Sequence, residues 1–273
     1  MKIGFIQGRL SPMVEGKIQA FPWDHWENEF TIASKIKLKL IEWTLDQEKL
    51  YFNPLMTNIG RKKIKSLCKK HNIKIPSLTG DCFMQYPFFK YKGNKRSALI
   101  NDLKNIIEAC GALNIELIIF PLVDNSSIGH DVQQTEIIEE FKKIENYLKR
   151  NKVKIVFESD FHPSKLKSFI DNFPEKCFGI NYDIGNSASL GFDCQEELYN
   201  YGSRILNVHI KDRPLGGGTV PLGDGNADIP KVMRILKEIN YSGNYILQTA
   251  RALDNDHTGV LCKYRDEILS IVH

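Results

Sequence analysis

Eight short apolar runs alternate along this chain with eight segments of helical periodicity, and that beat restricts the fold more than any other feature. The runs predict strands at Ile3 to Gln7, Leu38 to Trp43, Ile73 to Leu78, Glu116 to Pro121, Val153 to Glu158, Phe178 to Asp183, Ile205 to Lys211 and Gly243 to Gln248. The intervening helices are expected at Glu27 to Lys37, Asn58 to His71, Asn94 to Leu113, Val132 to Arg150, from Pro163 onward, and then at Gln195 to Gly202, Ile229 to Asn240 and His257 to Val272. Such alternation implies parallel strands with helices outside them. Eight units in 273 residues suit the α/β class as a single (β/α)8 TIM barrel better than an open doubly wound sheet. No Gly-x-Gly-x-x-Gly follows the first strand, which speaks against a dinucleotide-binding fold. No linker, sequence repeat or low-complexity tract interrupts the pattern, so residues 1–273 are expected to form one domain.

Composition excludes several classes of function. With 42% hydrophobic and 26% charged residues, the chain has enough apolar material for a full core. The formal net charge is only +4, and basic runs such as Arg61-Lys62-Lys63-Ile64-Lys65 read as solvated helix faces, so no nucleic-acid footprint is evident. Six cysteines, Cys68, Cys82, Cys110, Cys177, Cys194 and Cys262, include no Cys-x-x-Cys and no zinc-knuckle spacing; reduced thiols are expected. Met1 to Gly8 runs directly into a strand without a signal-like apolar region, and no segment approaches the ~18 consecutive apolar residues of a membrane helix. A cytoplasmic protein without membrane contact is the expectation.

In a barrel of this kind the carboxyl ends of the strands build the site. The seventh strand, Asn207-Val208-His209-Ile210-Lys211-Asp212, alternates: Leu206, Val208 and Ile210 fall on one face, and Asn207, His209 and Lys211 on the other. Strands five to eight each end on a polar residue in phase with the inward face: Glu158, Asp183, His209 and Gln248. Two carboxylates, an imidazole and an amide oxygen can converge on one divalent ion, and that donor set suits Mn²⁺, Mg²⁺ or Co²⁺, with Zn²⁺ as a further option. After the seventh strand the chain enters a loop with glycines from Gly216 to Gly225. Two readings stay open for it, a cradle of backbone N–H groups for a phosphate or a mobile lid. Lys211, Arg213 and Arg251 at that rim, with Asn186 just after Asp183, are the substrate-binding candidates. Trp23, Trp26, Trp43, Phe83, Tyr86, Phe88 and Phe89 follow the first three strands and serve either as an apolar wall over a bound ligand or as core or dimer contacts.

Tyr182-Asp183-Ile184-Gly185-Asn186, and Val208-His209-Ile210-Lys211-Asp212 followed by Val220-Pro221-Leu222-Gly223-Asp224-Gly225, resemble the sugar isomerase/epimerase superfamily of xylose-isomerase-like barrels. They look most like its L-xylulose 5-phosphate 3-epimerase branch, and the likeness spans essentially the whole chain. It implies a metal held by Glu, Asp, His and Glu from strands five to eight, here Glu158, Asp183, His209 and Gln248. In the epimerases it resembles, two glutamates stand on opposite faces of the substrate; one forms an enediolate on the metal and the other reprotonates it. Gln248 can ligate through its carbonyl oxygen but cannot take a proton, which leaves Glu158 as the evident base and the four ligands at formal charge −2 instead of −3.

The resemblance therefore implies a metal-dependent isomerase or epimerase of a small sugar or sugar phosphate. One base also suffices for aldose–ketose isomerisation or for a dehydration, so a lyase is the second reading. A non-catalytic sugar-binding barrel is the third. Lys211 stabilises the enediolate or pairs with Asp212 or Glu158. DNA repair of the endonuclease IV type is disfavoured: the third strand ends Thr79-Gly80-Asp81 without a histidine, Asn186 stands three after Asp183, and of seven histidines only His209 ends a strand. By analogy with the superfamily, a homo-oligomer is expected.

Overall fold

Strands buried on both faces need near-continuous apolar sequence, and the eight runs supply it. The computed structural model describes residues 1–272. In chain order the elements are β1 (Lys2–Ile6), α1 (Trp26–Lys35), β2 (Leu40–Thr44), α2 (Asn58–His71), β3 (Lys74–Thr79), α3 (Asp81–Gln85), α4 (Gly93–Leu113), β4 (Leu117–Leu122), α5 (Asp131–Lys143), α6 (Glu145–Asn151), β5 (Lys154–Ser159), α7 (Pro163–Ile170), β6 (Phe178–Asp183), α8 (Ile184–Leu190), α9 (Cys194–Tyr201), β7 (Ile205–Ile210), α10 (Ile229–Glu238), β8 (Asn244–Leu247) and α11 (His257–Val272). The strands close into an eight-stranded barrel in sequential order, every neighbour parallel and β1 paired to β8 through Lys2↔Asn244 to Phe5↔Leu247. Among the described residues no helix is long and apolar enough to cross a membrane.

Local chemistry sets the helix limits. Thr57 caps α2 by accepting from Gly60 N, and Asp193 caps α9 by accepting from Gln195 N and Glu196 N. Pro163 sits in the first turn of α7, where its missing N–H has no partner to lose. Asn72 and Asn114 end α2 and α4 in the left-handed region, at φ 51° and 56°, which asparagine tolerates. Two short helices, α3 and α8, were not expected from periodicity, because they follow directly on strand ends. The segment read as one helix from Val132 to Arg150 is two, α5 and α6, interrupted at Ile144 (φ −96°, ψ 4°).

The core has two layers. Between sheet and helices, Phe157 packs against Phe141, Phe169 and Phe173 with ring centroids 5.1–5.3 Å apart, and Trp43 packs against Phe21 and Trp26. Most of the aromatic cluster noted in the sequence is thus packing. Trp23 and Tyr86 instead line an open groove beside the barrel mouth. Inside the barrel, Leu117, Ile119 and Val156 form a small apolar plug against which Leu206 packs. Here the structure corrects strict alternation in β7. The β6–β7 register jumps from Ile180↔Ile205 to Asn181↔Asn207, so Leu206 is the extra residue of a bulge and joins the interior. The phase is reset beyond it, and Asn207 and His209 lie in the polar layer above the plug.

Candidate metal centre

Glu158, Asp183 and His209 come from the ends of β5, β6 and β7, and their ligand atoms lie within 4.8 Å of one another, all three side chains buried. Register explains the meeting: Asp183 pairs with His209 across β6–β7. His209 Nδ1 lies 3.2 Å from Glu158 Oε2 and 3.8 Å from Asp183 Oδ2. Each carboxylate is oriented from more than one side. Glu158 Oε2 accepts from Asn181 Nδ2 (2.6 Å) and Oε1 from Asn186 Nδ2 (2.8 Å). Asp183 Oδ1 caps α8 by accepting from Asn186 N (2.8 Å), so Oδ2 is the atom turned to the cluster.

Glu42, in the middle of β2, was not singled out by the sequence reading, yet it orients the histidine. It has no exposed surface, and its Oε1 accepts from His209 Nε2 at 2.7 Å. Its Oε2 accepts from Ser77 Oγ (2.7 Å) and Asn207 Nδ2 (3.0 Å). With Nε2 committed as donor, Nδ1 is the nitrogen presented to Glu158 and Asp183, the carboxylate–imidazole arrangement that commonly orients a metal-bound histidine. The available signal was a lone carboxylate inside the apolar strand Leu40-Ile41-Glu42-Trp43.

The electrostatics favour a cation. Burial opposes a charge on His209, but the Glu42 charge and hydrogen bonds to Asp183, Glu158 and Glu42 push the imidazole well above its ordinary range. Burial likewise opposes ionisation of Asp183, but Lys211 and His209 outweigh it and hold the carboxyl below its usual range. Three buried carboxylates around one ring therefore stabilise positive charge at the position where a metal would sit. The donor set of two carboxylates and one imidazole nitrogen fits a divalent ion, with Glu158, Asp183 and His209 to hold it.

The other candidates divide into two groups. Lys211 Nζ lies 3.2 Å from Asp183 Oδ2, 3.1 Å from Asn186 Oδ1 and 3.5 Å from Gln248 Oε1; its ion pair is with Asp183, not with Asp212 or Glu158. Gly185 makes room for it, since a Cβ there would lie 2.7 Å from Lys211 Cγ. Arg213 Nη1 donates to Asn186 Oδ1 at 2.7 Å. Asn186, Lys211 and Arg213 thus gather around the two carboxylates. Gln248 faces the same mouth, but its Oε1 is turned to Lys211 and its Nε2 donates to Gln19 Oε1 (3.0 Å). Gln19 Nε2 in turn donates to Asp81 Oδ2 (2.8 Å).

Arg251 is not brought to the carboxylates. It donates to Ser11 O (2.6 Å) and Ile18 O (3.2 Å), and Arg9 Nη1 also donates to Ile18 O (2.7 Å), so both arginines secure the segment that carries Gln19. Nor do the bonded amides of the glycine loop support the phosphate cradle, one of the two readings left open for it. The amides of Gly223, Gly225 and Ala227 donate to the Asp212 carboxylate at 2.9–3.0 Å, and Gly216 N and Gly217 N donate to Ser189 O and Pro214 O. The reason is local: Asp212 stands at the loop entrance and satisfies the amides before any ligand can.

A family profile described as xylose isomerase-like TIM barrel matches residues 30–260. The chain belongs to that family. Among similar proteins, L-ribulose-5-phosphate 3-epimerase UlaE of Salmonella typhi is 21% identical over 256 residues, covering 88% of both chains. A structure of D-psicose 3-epimerase with D-tagatose from Clostridium cellulolyticum H10 superposes with a TM-score of 0.76 at 11% identity, covering 100% of both chains. The IOLI protein with a binding zinc atom gives 0.77 at 16% identity, over 100% of this chain and 98% of that one. The family match is thus joined by relatives that are sugar 3-epimerases.

Proposed function

We propose that this chain is a divalent-metal-dependent isomerase or epimerase of a small ketose or ketose phosphate, with Glu158 as the base. The observation that carries the reading is the buried Glu158–Asp183–His209 group, with Glu42 committing the far nitrogen of the histidine. The relatives are 3-epimerases of L-ribulose 5-phosphate and of D-psicose, both ketoses whose carbon beside the carbonyl carries a hydrogen and a hydroxyl. A bound divalent ion would polarise that carbonyl and make the C–H more acidic. Mn²⁺, Co²⁺ and Mg²⁺ suit the oxygen-rich donors, and Zn²⁺ is the ion named with the IOLI structure.

The residues themselves do the rest. Asn181 and Asn186 hold one oxygen each of the Glu158 carboxylate, which orients it for proton removal. Lys211, within 3.5 Å of Gln248 Oε1, supplies a fixed positive charge for the oxyanion that develops. The six free cysteines fit a reducing, cytoplasmic setting.

The test combines metal titration with solvent exchange. Calorimetry with Mn²⁺, Co²⁺, Mg²⁺ and Zn²⁺ should show about one equivalent bound, lost in Asp183→Ala. In D₂O with the metal present, L-ribulose 5-phosphate, D-psicose and D-tagatose should be screened for deuterium at the carbon next to the carbonyl. Incorporation that disappears in Glu158→Gln supports the base. Analysis of the product as epimer, aldose or dehydrated sugar separates epimerase, isomerase and lyase. A protein that binds these sugars, takes up no metal and exchanges no proton would be a binding barrel instead.

A further inference from the structure

Gln248 directly follows β8, the strand from which a second proton-transfer group would face the sugar, and an amide cannot serve as a proton-transfer base at ordinary pH. The mouth holds another carboxyl group beside it. Asp81 opens α3, immediately after β3. Its Oδ2 accepts from Gln19 Nε2, while Gln19 Oε1 accepts from Gln248 Nε2. A single side chain, itself secured through Ile18 by Arg9 and Arg251, therefore joins Asp81 to the residue that lacks the chemistry. Resting on the function proposed above, we propose that Asp81 is the second proton-transfer group of this site, serving the sugar face opposite Glu158 so that inversion proceeds despite Gln248.

The surroundings suit that task. The charged groups that act on Asp81 are Asp46 from the segment after β2, Glu158 from β5 and Arg9 from the segment after β1. Burial raises the Asp81 carboxyl to about 7, with the charges of Asp46 and Glu158 adding to it and the Gln19 bond and Arg9 opposing. Near neutrality both of its forms are populated, so it can give a proton in one direction of reaction and take one in the other. Asp46, whose charge acts on Asp81, also lines the open groove of about 1020 Å³ shared with Trp23 and Gln85.

The proton count closes. Glu158 takes the proton from the carbon beside the carbonyl, and the C–H electron pair passes into the enediolate. The Asp81 O–H then delivers its proton to that same carbon from the other side. Glu158 is left protonated and Asp81 ionised; Glu158 loses a proton to solvent and Asp81 regains one. The net change is configuration alone.

The experiment uses the metal-loaded full chain in D₂O, with whichever of L-ribulose 5-phosphate, D-psicose or D-tagatose turns over, and NMR to follow deuterium in recovered sugar and in epimer. In Asp81→Asn an oxygen remains for Gln19, so the mouth keeps its hydrogen bonds. Epimer formation should fall by roughly 10²–10⁴-fold, while deuterium still enters the recovered sugar through Glu158. Adding Gln248→Glu to Asp81→Asn should restore epimer formation. In the wild type, the rate in the direction that needs protonated Asp81 should fall as pH rises through about 7. Epimer formation by Asp81→Asn at the wild-type rate overturns the proposal. So does loss of deuterium entry as complete as in Glu158→Gln, because Asp81 would then not be specific to the second face. If the wild type itself exchanges no proton with any of the three sugars, the proposed function falls and this inference falls with it.

Discussion

Glu42 lies 167 positions from His209 in the chain and yet decides which of its two ring nitrogens is offered to Glu158 and Asp183. Replacing it by glutamine keeps the volume but removes the charge and one acceptor, so the tautomer is no longer enforced. Glu42→Gln should weaken divalent-metal affinity by roughly 10–100-fold while leaving far-UV circular dichroism unchanged; titration calorimetry with Mn²⁺ measures it, and wild-type affinity would remove Glu42 from this role. Gln248→Glu adds a carboxylate 3.5 Å from the lysine that already neutralises Asp183. It should tighten metal binding, since ligand charge tunes affinity, and unchanged affinity would put position 248 outside the ligand set. Glu158, Asp183 and His209 were legible in the sequence because each halts an apolar strand in its inward phase. Glu42 and Asp81 were not, because the significance of each depends on residues from other strands.

At the scale of elements, the segment from β7 to α10 behaves as a capped loop rather than an anion cradle. Asp212 gathers three backbone amides, and a Cβ on Gly225 would come within 2.1 Å of Asp212 Oδ1, so glycine is required there for close approach and not for flexibility. Asp212→Ala leaves those part-buried amides without their acceptor, which loosens the loop. The amides of Gly223, Gly225 and Ala227 should then exchange hydrogen faster, with metal stoichiometry retained; unchanged exchange would mean that the loop is held by other contacts. The sequence showed the glycines but not their direction, because an N–H carries no pattern that tells a carboxylate at the loop entrance from a ligand above it. Similarly, α8 escaped periodicity because its N-terminal cap is Asp183 itself.

For the whole molecule, residues 1–272 are bound into a ring in which the first strand pairs with the last, and we propose that the chain folds as a single unit. Phe157 offers a test, because it lies in the second half while all three tryptophans, Trp23, Trp26 and Trp43, lie within the first 43 residues. Phe157→Ala opens a cavity among Phe141, Phe169 and Phe173 and should cost about 3–5 kcal/mol. Tryptophan fluorescence and far-UV circular dichroism should shift together in one thermal transition, whereas separate transitions would indicate two units. The order of the strands, the parallel closed barrel and the placing of Glu158, Asp183 and His209 at strand ends were legible in the sequence alone, since periodicity and burial act on each strand separately. What only the tertiary structure decided was the company of each polar group. The bulge at Leu206, the Glu42–His209 bond across the barrel, the loop amides turned to Asp212, and the Gln19 bridge between Asp81 and Gln248 all join atoms far apart in the chain. Their energies depend on distances that closure of the ring alone creates.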